Sequence, residues 1–75
     1  MNYQEKTDLV LSLIAEIADI NQEEIQNEST FEEIGVDSLM ALELAVHLER
    51  EFGVVINEEE LINLRKVEDL FQYLV

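Results

Sequence analysis

Apolar residues return every third or fourth position along most of this chain, and no proline interrupts them. That period belongs to helices burying one face each, not to alternating strands. Val10, Leu13, Ile14 and Ile17 fall at i, i+3, i+4 and i+7, behind an Asn2 and Glu5 spaced as a capping box. This first helix should end near Ile20. The spacing predicts a second helix over 38–52, "SLMALELAVHLEREF", with Gly53 placed to close it at positive φ. "VVI" at 54–56 is β-prone but has no partner strand, so it reads as a connector. Asn57 and Glu60 form another box, opening a short helix through Leu61 and Ile62. In "VEDLFQYLV", Val67, Leu70, Phe71 and Leu74 share one face of a last helix.

The stretch "NQEEIQNESTFEEIG", residues 21–35, is polar and acidic, with capping boxes possible at Asn21 to Glu24, Ser29 to Glu32 and Thr30 to Glu33. It reads as a long loop holding a helical turn or two. A structureless loop of that length is unusual in a compact domain, so Ile25, Phe31 and Ile34 should anchor it in the core. Gly35 ends its last turn. The fold class expected is all-α: a small four-helix bundle with a long loop between helices 1 and 2 and a short third helix, in a single domain over 1–75. Met1 and the absence of linkers favour a discrete protein over a domain cut from a larger synthase.

A chain of 75 residues buries only about 60% of the surface its unfolded form exposes, too little for a roomy enzyme cavity. Apolar residues nevertheless make up 48% of it, enough for a small packed core. Asp and Glu number 18 against 4 Lys and Arg, a formal net charge of −14. Such a chain repels phosphate backbones and anionic head groups, so neither nucleic acid nor a membrane is expected as partner. Proteins with basic patches are, and the same charge should keep the chain soluble and monomeric. The N-terminal "MNYQEKTD" lacks the basic start and apolar run of a signal peptide, which points to the cytoplasm. Without cysteine there are no disulfides and no thiolate metal sites, and any thiol chemistry needs a thiol from outside.

On a helical wheel of about 100° per residue, the 38–52 segment carries two apolar groups. Ala41, Leu44, Ala45, Leu48 and Phe52 gather as a core stripe. Roughly opposite lie Leu39, Met40, Leu42, Glu43, Val46, His47 and Arg50, more apolar than the outer face of an ordinary surface helix. Leu42 and Val46 could equally be the edge of a wide core stripe. Leu39 and Met40, beside Ser38, suit a docking site.

Ser38 follows Asp37 in "GVDSLMALEL", residues 35–44. As a catalytic nucleophile it would need a base, and His47 is the sole histidine. On one helix, nine residues set the two about 13.5 Å apart along the axis and about 180° apart around it. They cannot meet. "GVDSL" also lacks the second glycine of a G-x-S-x-G elbow, and the acidic loop does not match a calcium-hand pattern. A helix-start serine does suit a covalently attached phosphate, because the first N–H groups have no intrahelical partners and the dipole is positive there. Asp37 and Ser38 would serve as well as plain capping residues, and local chemistry leaves both roles open.

"F-x-x-I-G-V-D-S-L", then "ALELAVHLEREFGVVI", an acidic capping turn and "VEDLFQYL" resemble the acyl carrier proteins over nearly the whole chain. The resemblance implies a four-helix bundle whose motif serine, Ser38 here, carries 4′-phosphopantetheine from coenzyme A, its thiol bearing acyl groups as thioesters. It implies a non-catalytic carrier. It also implies that Asp37, Leu39, Met40, Leu42, Glu43, Val46, His47 and Arg50 meet partners: a phosphopantetheinyl transferase, then acyltransferase, ketosynthase or ligase-type enzymes with basic patches. Fatty-acid carriers commonly have an acid directly after D-S-L, whereas Met40 stands here, and "D-S-L-M-A-x-E-L" looks more like carriers of polyketide assembly. Fatty-acid and aminoacyl or D-alanyl carriage stay open, as does a small acidic interaction module. Lys66 stands where such carriers commonly have Thr, leaving the last helix without an obvious cap.

Overall fold

The computed structural model describes residues 1–74. Helix α1 spans Tyr3–Ala18. Its capping box forms as the sequence predicts: the Glu5 N–H donates to Asn2 Oδ1 at 2.8 Å, and the Asn2 N–H to Glu5 Oε1 at 3.4 Å. The helix stops at Ala18, short of Ile20. Asp19 turns left-handed at φ 58°, and its N–H and that of Ile20 both close onto the Ala15 carbonyl. Asp tolerates that conformation better than most residues, so the chain leaves the helix there without glycine.

The loop to α2 holds a single 3-10 turn, Gln22–Glu24, in which Glu24 Oε2 accepts the Asn21 N–H at 3.0 Å. Thr30 and Glu33 form a reciprocal box. The Ser29 to Glu32 box does not form. Ser29 Oγ instead accepts the Gln26 N–H at 3.0 Å, while its carbonyl accepts the Val67 N–H at 2.9 Å. That second bond belongs to a short backbone pairing the sequence did not announce. The Phe31 N–H reaches the Arg65 carbonyl and the Glu68 N–H the Asn27 carbonyl, each at 2.9 Å, around an isolated antiparallel bridge between Thr30 and Lys66. Ile25 is buried, with Phe31 and Ile34 half-buried against the core. The loop is thus pinned by side chains from below and by backbone from the side.

Helix α2 spans Ser38–Phe52 and ends in Gly53 at φ 69°, the boundaries read from the sequence. Helix α3, Glu58–Asn63, starts at Asn57, whose Oδ1 accepts the Glu60 N–H at 2.9 Å. Only this half of the expected box is made. The Glu60 carboxylate accepts instead from the Tyr73 hydroxyl at 2.8 Å. That bond, with desolvation and the carboxylate's charge, raises the Tyr73 pKa above its ordinary value.

Helix α4 is shorter than expected, Glu68–Phe71, and tightens into a 3-10 turn at Gln72–Leu74. Val75 lies outside the described residues. Among the described residues the start of α4 has no side-chain cap: the Glu68 N–H goes to the Asn27 carbonyl, and Asp69 Oδ2 braces the residues before the helix by accepting the N–H of Arg65 at 3.1 Å and of Lys66 at 3.0 Å. The Lys66 and Arg65 N–H bonds, helped by the Lys66 charge, lower the Asp69 pKa. A carboxylate lowered on folding stabilises above its unfolded pKa, and that contribution disappears as pH falls through the folded value. Asp69→Ala should therefore lose about 1 kcal/mol near neutral pH. The gap from the native chain should narrow below about pH 4, as followed by urea denaturation across pH. A gap unchanged with pH would assign the loss to packing.

Val10 and Ile14 of α1, Leu44 and Leu48 of α2, and Val67, Leu70, Phe71 and Leu74 of the C-terminal segment meet in one core. Lys6 Nζ donates to the Leu74 carbonyl at 3.2 Å, tying α1 to the last turn. Around this core, Glu23, Glu24, Glu28, Glu32 and Glu33, and again Glu58 and Glu59, stand exposed in runs of one sign. Their repulsion is strongest in the compact state. Added salt or magnesium should raise the melting temperature, read by circular dichroism; an unchanged or lower value would show that repulsion does not limit stability.

Candidate functional site

The chain enters α2 from a firmly held point. Gly35 takes φ 79°, and the next residue, Val36, is buried with its N–H on the Phe31 carbonyl at 2.8 Å. A side chain at Gly35 would have room, so the backbone angle is what favours glycine there. Asp37 then caps the helix: its Oδ1 accepts the Met40 N–H and its carbonyl the Ala41 N–H, both at 2.9 Å. Ser38 follows as the first helical residue, and it is exposed. With Asp37 supplying the cap, the Ser38 hydroxyl is not needed for one. The Ser38 and Leu39 amides have no protein partner among the described residues. An exposed hydroxyl beside two free N–H donors at the positive end of a helix fits a phosphodiester linkage.

Beside Ser38 the space between α2 and α3 forms an open cleft of about 400 Å³. Phe31, Val36, Ala41, Leu44, Leu64 and Leu70 make its apolar body, Leu42, Leu61 and Ile62 complete it, and Asp37, Ser38 and Glu58 are its polar members. Sequence reasoning did not bring Glu58, Leu61 and Ile62 to this site. The available signal was Ile62 itself, 80% exposed, an apolar residue that no core stripe required.

The outer face of α2 divides largely as the wheel indicates. Leu39, Leu42 and Val46 are exposed, so Leu42 and Val46 are not core residues. Asp37, Glu43 and Arg50 are exposed around them, and His47 is half-buried. Met40 departs from the expected exposure: its flexible side chain is half-buried and packs against the core. Among the described residues, no cluster of His, Asp and Glu is arranged to hold a metal ion. No helix among them is long and apolar enough to cross a membrane.

Residues 8–74 match the family model described as "Phosphopantetheine attachment site". The chain is 40% identical over 58 residues to an acyl carrier protein homolog of Mycoplasmopsis pulmonis, covering 77% of this chain and 80% of that one. It is 38% identical over 63 residues to polyketide-8 synthase acyl carrier protein 2 of Streptomyces avermitilis, covering 83% and 72%. To an acyl carrier protein of Thermosynechococcus vestitus it is 35% identical over 75 residues, covering 99% and 93%. With a helical bundle, an exposed serine at the start of α2 and a family match across nearly its whole length, the chain belongs to the acyl carrier proteins, the carriers that bear 4′-phosphopantetheine.

Proposed function

We propose that Ser38 is the attachment residue and that the chain carries acyl intermediates for polyketide or related specialised biosynthesis. The observation that carries the first part is the position of its hydroxyl: exposed, free of capping duty, and next to two unpartnered amides at the start of α2. In the loading step a new bond forms between Ser38 Oγ and the phosphorus bearing the pantetheine of coenzyme A. The diphosphate P–O bond breaks, the nucleotide half leaves, and the hydroxyl proton passes to a base of the transferase, since His47 cannot reach it. The attached arm supplies the thiol this cysteine-free chain lacks and carries acyl groups as thioesters. The residues around it would hold and present the arm: Asp37 fixes the helix start, and the Ser38 and Leu39 N–H groups would be available to donate to the phosphodiester.

Partner enzymes would meet Asp37, Leu39, Met40, Leu42, Glu43, Val46, His47 and Arg50. An acidic carrier with exposed Leu39, Leu42 and Val46 suits partners that offer a basic rim around an apolar centre, giving fast, steered and readily broken contacts. Met40 and Arg50 make this face less acidic than a fatty-acid carrier's commonly is. Together with "D-S-L-M-A-x-E-L" and the Streptomyces relative, they favour the polyketide reading.

The test is intact mass after incubation with coenzyme A and a broad-specificity phosphopantetheinyl transferase, followed by mapping of the modified peptide. One added phosphopantetheine on the peptide holding Ser38 is expected. The loaded chain is then offered to ketosynthases of the two pathways, and faster condensation by the fatty-acid enzyme would reassign it to fatty-acid synthesis.

A further inference from the structure

Helix α3 is the weakest wall of the cleft. It spans six residues, none of them buried, and a helix that short has no stability of its own in water. Its Asn57 cap and the bond from Asn63 Nδ2 to the Glu59 carbonyl at 3.1 Å are local and tie it to nothing else. The bond from the Tyr73 hydroxyl to Glu60 Oε2, at 2.8 Å, is different. Among the described residues it is the one hydrogen bond between side chains that joins two different elements. Its direction matters as well. At about 100° per residue, Glu58, Leu61 and Ile62 share the side of α3 that lines the cleft, while Glu60 lies about 200° around from Glu58. Tyr73 therefore grips α3 from behind, and Glu60 leaves its capping box unfinished to be gripped.

We propose that Tyr73 and Glu60 are positioning residues that hold α3 in place as the cleft wall, so that this single bond sets how closed the cleft beside Ser38 stands. Released, α3 keeps its cap and its half-buried Leu61 and Leu64 but loses, among the described residues, its one side-chain hydrogen bond to the C-terminal turn, and the cleft opens. The link to cargo rests on the carrier reading above; the link between this bond and α3 does not. Because Tyr73 lies on the turn that also receives Lys6 of α1, the wall is referenced to the core through the end of the chain.

The test uses the unmodified protein, so failure of Ser38 loading would leave it intact. Amide hydrogen exchange is compared in the native chain, Tyr73→Phe, Glu60→Ala and Glu60→Gln. A hydrogen bond to a charged group is expected to protect the amides of residues 61–64 about tenfold or more. Tyr73→Phe and Glu60→Ala should each lose that protection while core amides of α1 and α2 exchange as before. Glu60→Gln, which keeps an acceptor oxygen, should restore most of it. A neutral solvent-sensitive dye should bind the two released variants more tightly than the native chain. Equal acceleration in every helix, no acceleration at 61–64, or a Gln variant behaving like Ala would overturn the proposal.

Discussion

Ser38→Ala gains no mass when incubated with coenzyme A and a phosphopantetheinyl transferase, while the native chain gains one phosphopantetheine. The effect is all-or-none because the substitution removes the one oxygen through which the arm would be joined. The same change should leave the fold alone. Ser38 is exposed, Asp37 makes the cap, and Ala is a better helix former than Ser at the first helical position. Helical circular dichroism should be unchanged and stability should move by no more than about 0.5 kcal/mol. Loss of loading with full retention of structure separates a chemical role from a structural one. Loading that survives in Ser38→Ala would place the arm on another hydroxyl and return Ser38 to the ordinary start of a helix.

Leu48→Ala should have the largest effect on stability. Leu48 is fully buried on the inner face of α2, in the one core cluster that also holds Val10 and Ile14 of α1 and Val67, Leu70, Phe71 and Leu74 of the C-terminal segment. Truncating such a leucine costs about 2–5 kcal/mol, from lost transfer energy and the cavity left behind. A domain of 75 residues has about 4–11 kcal/mol in total. The variant should unfold at a markedly lower urea midpoint, with a substantial unfolded fraction at 37 °C if the native chain lies low in that range. Val46→Ala, two positions away on the exposed face, should shift the midpoint little. It should instead weaken association with a partner. A Leu48→Ala midpoint close to native would mean that the core collapses around the gap.

The burial of Leu48 was legible in the period of its helix, whereas Val46 was open between the outer face and the edge of a wide core stripe until the structure placed it exposed. The Asn2 and Glu5 box, the limits of α2, and Asp37 and Ser38 at its start were legible too. Each rests on residues three or four apart, within one turn, where backbone geometry dictates who meets whom. Grouping Met40 with the outer face is an error by the same geometry. At about 100° per residue Met40 stands about 40° from Leu44, at i−4, so it belongs at the edge of the core stripe.

By itself the sequence determined that there are four helices among the described residues, the caps at Asn2, Asp37 and Asn57, the acidic character and the serine at the head of α2, since these follow from local spacing and composition. Tertiary structure decided which of several possible local bonds survived. The Glu60 carboxylate had a capping partner three residues away at Asn57 and turned instead to the Tyr73 hydroxyl, while the Ser29 carbonyl took the distant Val67 N–H. The Thr30 to Lys66 bridge and the cleft between α2 and α3 have the same origin. A polar group can serve a local or a distant partner, and only the packing of the helices sets the distance that chooses between them.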